Sequence, residues 1–212
     1  MQWSLVVPVK TLARAKSRLS DTADDAVRPD LALAFALDTV AAALAGPAVA
    51  DVAVVTDDPR AGRELAALGA RVVADEPGGG LNAALAHAVA AVRAVRPHAP
   101  VAALNADLPA LRPTELTRVL ENAAEFPRAF LPDAAATGTT LLAAAPGREL
   151  RPFFGPGSRR AHRTSGAVEL RLAAVDSVRQ DVDTGADLRA ALALGVGPRT
   201  AAAVARLLIA EQ

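Results

Sequence analysis

A chain of 212 residues with 23 basic and 23 acidic side chains has the size of one α/β domain, and it has no overall field to hold a nucleic-acid duplex or an anionic membrane. The absence of cysteine excludes disulfides, thiolate metal sites and cysteine nucleophiles, and agrees with a reducing compartment. Apolar residues make up 52% but aromatics 3%, so the expected core is Ala, Val and Leu packed closely between helices and a sheet.

The run Leu5-Val6-Val7-Pro8-Val9 predicts a buried strand, and the polar stretch from Lys10 to Ser20 predicts a loop at its carboxyl end. No charged leader stands before that short apolar run, so a soluble, cytoplasmic protein is expected. Helical spacing from Asp30 to Leu44, with Asp30 as N-cap and Gly46-Pro47 as a stop, predicts the first helix. A second strand is predicted over Val52–Thr56, a short helix over Arg60–Leu68, and a third strand over Arg71–Ala74. Pro77-Gly78-Gly79-Gly80 then introduces a helix over Leu81–Val95, and Pro100–Leu104 is a fourth strand running into Asn105-Ala106-Asp107. Pro113 opens a helix through Ala124. This alternation argues for a mostly parallel, doubly wound sheet. After Phe130 the rhythm changes: strands over Thr139–Ala144 and Val168–Ala173, with a Gly/Pro/Arg-rich stretch between them, predict an insertion covering one end of the sheet. Helices over Asp187–Leu194 and from Pro198 complete the chain, read as one domain over 1–212.

In open α/β sheets ligands sit beyond the carboxyl ends of the strands, where strand order reverses. Lys10, Lys16, Arg18, Thr56, Gly79, Gly80, Asn82 and Asp107 are all predicted to lie there. Only 2 of the 23 basic residues are lysines, Lys10 and Lys16, and both fall in the first loop. That placement suits a phosphate as well as it suits a solvated loop. No GxxxxGK[ST] is present, so the loop is not a Walker A loop. Asp107 at a strand end can hold Mg²⁺ against phosphate oxygens, with Asp181 or Asp183 of the Asp181-Val182-Asp183-Thr184 turn as a second carboxylate. Each is also what an ordinary turn or a helix cap would use, Thr184 included. The glycine run before Leu81 offers backbone N–H groups to an anion, or is a plain flexible turn. Thr137-Gly138-Thr139-Thr140 and Phe153–Arg160, with Arg163 and Ser165 nearby, are either a second anion site or a solvated basic loop. His162 lies in that basic stretch and is expected to face an anion; His87 and His98 are expected to be structural or exposed, and Trp3 and Phe153-Phe154 to be packing groups.

In order, VVPVK-x5-K-x-RL, VVTDD, PGGGLNAAL, NADLPAL, TGTTLL, FGPGSRRAH, SGA and DVDTGADL resemble the 2-phospho-L-lactate or phosphoenolpyruvate guanylyltransferases of deazaflavin-coenzyme biosynthesis over nearly the whole chain. The resemblance implies a Rossmann-like nucleotidyltransferase fold related to the molybdopterin guanylyltransferases, with helices on both faces of a mostly parallel sheet and a small inserted β region. It implies that the acceptor phosphate attacks the α-phosphate of GTP and expels pyrophosphate, with Mg²⁺ as cofactor, and that a downstream enzyme takes the guanylylated product. By motif, Pro8, Val9, Lys10, Lys16, Arg18, Thr56, Gly79, Gly80 and Asn82 would hold the nucleotide. Thr140, Gly155, Ser158 and Arg159 would hold the phosphoacid, Asp107, Asp181 and Asp183 the metal, and Asp107, Lys10 and Lys16 would carry catalysis.

The chain departs from the wider nucleotidyltransferase pattern in two places. Its first loop lacks the GGxSxRMG signature, and Asn105 stands where a two-carboxylate DxD has an acid, so Asp107 needs help from the Asp181–Thr184 turn. Guanine preference comes from the resemblance alone. The Ala- and Arg-rich composition favours phosphoenolpyruvate over 2-phospho-L-lactate. Other readings of the same residues are a sugar-phosphate or molybdopterin nucleotidyltransferase, or a non-catalytic nucleotide-binding regulator.

Overall fold

The computed structural model describes residues 1–12, 27–75 and 79–210, so Lys16, Arg18 and Gly78 lie outside the described residues. Trp3–Pro8 (β1) is an interior strand, with Val49–Val55 (β2) on one side, Val101–Leu104 (β4) on the other, and Arg71–Val73 (β3) beyond β2. These four pair in parallel. Thr139–Ala144 (β6), Arg128–Pro132 (β5) and Val168–Glu169 (β7) extend the sheet past β4, giving the order β3-β2-β1-β4-β6-β5-β7. Among these strands β6 runs against its neighbours, and β7 returns to a parallel pairing on β5.

A strand covered on both faces is mostly apolar, which is why β1 reads as hydrophobic apart from Ser4, whose buried hydroxyl accepts from Arg96 at 2.7 Å. Its alternate side chains feed two cores. Trp3, Leu5 and Val7 pack with apolar residues of Arg28–Leu44 (α1), Pro59–Ala67 (α2) and Pro113–Ala123 (α4). On the opposite face, Val6 packs with Ala84, Leu85 and Ala88 of Leu81–Val95 (α3), together with Leu150 and Phe154. Helices therefore cover both faces, and small side chains let them approach closely.

The long helix α1 is itself sandwiched. Leu31 and Phe35, both fully buried, pack away from the sheet against Leu188 and Ala191 of Gly185–Leu194 (α7) and Leu207 of Pro198–Ala210 (α8). Asp38 of α1, 5% exposed, accepts hydrogen bonds from the N–H groups of Arg199 (3.2 Å) and Thr200 (2.7 Å), so a carboxylate of one helix caps the start of another.

Several boundaries differ from expectation. α1 begins at Arg28 with Val27 as N-cap, and Asp30 sits in the first turn, paired with Arg60 at 2.6 Å. The first-turn Pro29 accounts for the earlier start. Past Phe130 the Thr137–Thr139 turn and the Phe154–Ser158 loop lie at the carboxyl end of the sheet. The strands there join the main sheet, and β5, framed by Pro127 and Pro132, is the element that carries the extension. Ser158–Thr164 (α5) and Asp176–Arg179 (α6) are short helices inside stretches expected to be irregular. β7 spans two residues where a longer strand was expected, because Pro132 has no N–H with which to continue the ladder on β5.

Candidate active site

From β1 the chain passes to β2 and β3 on one side, then crosses through α3 to β4 on the other, so β1 and β4 part at the reversal of strand order. A cleft of about 670 Å³ opens there, within the usual size of a small-molecule site. Pro8, Val9 and Lys10 from the end of β1 and Asn105, Ala106 and Asp107 from the end of β4 form its base. The turn Thr137–Thr139, the loop Phe154–Ser158, and Asp181 and Asp183 form its walls.

The Asp107 turn is held from several directions. Asn105 N–H donates to Thr140 C=O at 2.9 Å, which prolongs the β4–β6 ladder by one bond. Leu108 N–H donates to the buried hydroxyl of Thr39 on α1 at 3.0 Å, and Gly197 N–H donates to Pro109 C=O at 2.8 Å. Val182 N–H donates to Asp107 C=O at 3.0 Å. That last bond joins two chain segments and sets the Asp181–Thr184 turn beside Asp107, so that Asp107, Asp181 and Asp183 all line the cleft. Within the Asp181–Thr184 turn the labour is divided. Thr184 and Asp187 make a capping box at the start of α7, so the capping expectation holds for Thr184 while both aspartates line the cleft.

At the end of β1, Lys10 is exposed on the cleft, and Val9 N–H donates to Val55 C=O at 2.9 Å. Leu12 N–H donates to Asp58 Oδ2 at 3.0 Å, while Asp58 Oδ1 caps α2 through Arg60 and Ala61 N–H, both at 3.0 Å. Burial would raise the Asp58 carboxyl. The three N–H donors and the Arg60 charge outweigh it and hold Asp58 below the ordinary carboxylate range. Thr56 is buried, and its hydroxyl accepts from Asp58 N–H at 3.1 Å; it lies beside α2, outside the lining of the cleft. Gly79 and Gly80 are exposed ahead of α3.

The opposite wall is built on a carboxylate that the sequence reading passed over. Asp133, 8% exposed, accepts from Thr137 N–H (2.9 Å) and Gly138 N–H (2.8 Å) and so shapes the Thr137–Thr139 turn. Its only sequence signal is its place after Pro132, at the end of a strand that was not recognised. Gly155, at φ 132°, and Ser158 line the cleft. Thr140 is fully buried behind that lining, and among the described residues its hydroxyl has no hydrogen-bond partner. Arg159 is a brace: its guanidinium binds both oxygens of Glu169 (3.0 and 2.7 Å) and Ala136 C=O (2.8 Å), and it is outside the lining. That hydrogen-bonded pairing holds Glu169 below its ordinary pKa and Arg159 above its own. Asn82 is also taken up by backbone: its Oδ1 accepts from Phe154 N–H at 2.8 Å and its Nδ2 donates to Phe154 C=O at 3.0 Å.

The expectation for His162 is corrected. It is fully buried against Phe130, Phe153 and Phe154, with ring centroids 5.8, 6.2 and 5.0 Å away, and it is absent from the cleft lining. Nε2 accepts from Phe153 N–H at 2.9 Å, so the proton sits on Nδ1 and is donated to Thr139 Oγ1 at 3.0 Å. Burial, aided by the charge of Arg128, pushes its pKa down from 6.5 to about 4. The unfolded chain therefore takes up this proton first, and stability contributed by neutral His162 is lost as pH falls from 6.5 towards 4. Between pH 7 and 5 the loss is about 2 kcal/mol. Urea unfolding at both pH values should show this slope in the native chain and a flatter one in His162→Asn; equal slopes would contradict it.

Among the described residues no three His, Asp or Glu side chains group into a metal cage, so Asp107, Asp181 and Asp183 do not form a three-carboxylate site. Magnesium ordinarily takes one or two carboxylates and completes its shell with phosphate oxygens and water. Asp107 with one aspartate of the Asp181–Thr184 turn fits that need, since the Val182–Asp107 bond joins their segments and both line the cleft. An acidic base between a lysine-bearing loop and a second loop wall can hold two anions side by side with a divalent cation between them. No helix among the described residues is long and apolar enough to cross a membrane.

A family model described as "Guanylyl transferase CofC like" matches residues 3–209. The phosphoenolpyruvate guanylyltransferase of Streptomyces coelicolor is 82% identical over 212 residues, covering 100% of both chains. That of Streptomyces avermitilis is 81% identical over 209 residues, covering 99% of this chain and 97% of its own. In fold, the chain is similar to a nucleotidyl transferase from Methanothermobacter thermautotroptrophicus, with a TM-score of 0.61 at 22% identity, covering 91% of this chain and 97% of that one. With a family match running from one end of the sheet scaffold to the terminal helix, and relatives of this similarity along its full length, the chain belongs to the CofC-like guanylyl transferases.

Proposed function

We propose that this guanylyl transferase joins the GMP unit of GTP to phosphoenolpyruvate with release of pyrophosphate, in the cytoplasm, as a step of deazaflavin-coenzyme biosynthesis whose product a downstream enzyme consumes. A phosphate oxygen of the acceptor attacks the α-phosphorus of GTP, and the bond from that phosphorus to the bridging oxygen of the β-phosphate breaks. The attacking group is a phosphate dianion near neutral pH, so no side chain has to remove a proton. The task is to bring two anions together and hold them in line.

In this reading the Pro8–Lys10 segment and Gly79-Gly80 receive the nucleotide, with Lys16 and Arg18 of the first loop. The Thr137–Thr139 turn, Gly155 and Ser158 receive the phosphoacid. Asp107 with Asp181 or Asp183 would hold Mg²⁺, which supplies charge neutralisation at the triphosphate. The observation that carries the reading is the 3.0 Å bond from Val182 N–H to Asp107 C=O, which brings acidic residues from distant parts of the chain to one cleft. The names of the two Streptomyces relatives supply the acceptor.

Pyrophosphate release measured with GTP or ATP, each paired with phosphoenolpyruvate, 2-phospho-L-lactate and 3-phosphoglycerate, tests it. GTP with phosphoenolpyruvate is expected to exceed every other pair by at least about tenfold, and a chelator is expected to abolish the signal until Mg²⁺ is restored. Pyrophosphate release by none of the pairs would sink the proposal.

A further inference from the structure

We infer that Asn82 is a positioning residue for the acceptor loop, acting from the first turn of α3 on a segment 72 positions further along the chain. The inference rests on the proposed reading that Gly155 and Ser158 receive the phosphoacid. It departs from the nucleotide-contact role that the resemblance implied for Asn82.

Both ends of the Asn82 amide are committed to one residue. Oδ1 accepts from Phe154 N–H at 2.8 Å and Nδ2 donates to Phe154 C=O at 3.0 Å, so the side chain completes Phe154 as a neighbouring strand would. The adjacent residue is held independently, since Phe153 N–H donates to Nε2 of the buried His162. The Phe154 ring packs edge-on against the same imidazole, 5.0 Å between centroids. Two consecutive backbone positions are thus tied down immediately before Gly155, whose φ of 132° turns the chain along the cleft towards Ser158. A loop ordered before its ligand arrives spends less binding free energy on ordering when the ligand binds. Asn82 follows Gly80, the N-cap of α3, by two residues, and apolar packing of Phe154 against α3 holds the helix and the loop together independently of the amide.

Steady-state kinetics of Asn82→Ala, varying each substrate at saturating levels of the other, reads the effect. KM for phosphoenolpyruvate is expected to rise about tenfold while KM for GTP stays within about twofold. A rise for GTP alone, equal rises for both, or no change in either would overturn the inference, because a nucleotide ligand, a general loss of structure or an idle contact would give those results. Asn82→Asp keeps the shape of the side chain and the acceptor for Phe154 N–H but sets a carboxylate against Phe154 C=O. The same KM ratio is read from it should the alanine variant fold poorly.

Native turnover with GTP and phosphoenolpyruvate is measured first. If it is absent, the proposed reaction fails on its own account, and amide hydrogen exchange at Phe153 and Phe154 then judges the clamp. Exchange must accelerate at least about tenfold in the variant relative to the native chain, and unchanged exchange overturns the inference.

Discussion

Asp107→Ala is expected to lower the rate of pyrophosphate release about a thousandfold, the scale seen when one preorganised electrostatic group is lost from a reacting centre. Asp107→Asn should fall nearly as far, since it keeps the shape and removes the charge. Both variants should unfold within about 3 °C of the native protein, because the turn is fixed through its backbone. Asn105 N–H, Asp107 C=O, Leu108 N–H and Pro109 C=O all have partners that a side-chain substitution leaves in place. Pyrophosphate release and thermal melts on the same preparations check both halves of the expectation. Near-native turnover in either variant would remove Asp107 from the reaction.

Gly197→Ala is the substitution expected to harm the fold most. A Cβ at Gly197 would lie 2.4 Å from Cγ, 2.6 Å from Oδ1 and 2.7 Å from Cβ of Asp38. The clash reaches the root of the aspartate side chain, so turning its tip aside does not relieve it. Either the start of α8 moves away or Asp38 does, and in both cases the Arg199 and Thr200 N–H groups lose their acceptor while a buried carboxylate loses its partners. The expected cost is about 3 kcal/mol, or roughly 10 °C in Tm for a chain of this size. Gly197 N–H also donates to Pro109 C=O in the Asp107 turn, so turnover should fall along with stability. Combining Gly197→Ala with Asp38→Ala should cost clearly less than the sum of the two single changes, since the second removes most of what the first collides with. Additive losses would show that the contact is not the cause.

These two residues separate what could be read along the chain from what could not. Asp107 was legible because its context is local: a short apolar strand ending in an acidic turn is visible in any stretch of ten residues. The same holds for β1, α3, β6 and the Thr184 cap, whose periodicity or capping pattern lies within their own segments. Gly197 and Asp38 gave no such signal, being 159 positions apart and meaning something only when α1 and α8 meet. α5 was missed because a seven-residue helix with three arginines buries only Ser158 and His162, too few to mark a face. β5 was missed because it is five residues long, follows Pro127 and ends in Pro132, and both prolines read locally as breaks.

Alternation of short apolar strands with helical stretches was enough to set the α/β class and the carboxyl-end location of the cleft, the placement of lysine and of strand-end carboxylates pointed to Lys10, Asp107, Asp181 and Asp183, and the family resemblance added Gly155 and Ser158; all six line the cleft. Tertiary structure alone decided how the polar groups are spent. His162 became a neutral core residue because three phenylalanine rings and a backbone N–H surround it, Arg159 became a brace on Glu169, and Asn82 became a clamp on Phe154. The physical reason is one of range. Periodicity and capping are written in neighbouring residues, whereas the partner of a buried donor or acceptor is chosen by whichever distant segment the fold brings within hydrogen-bond reach.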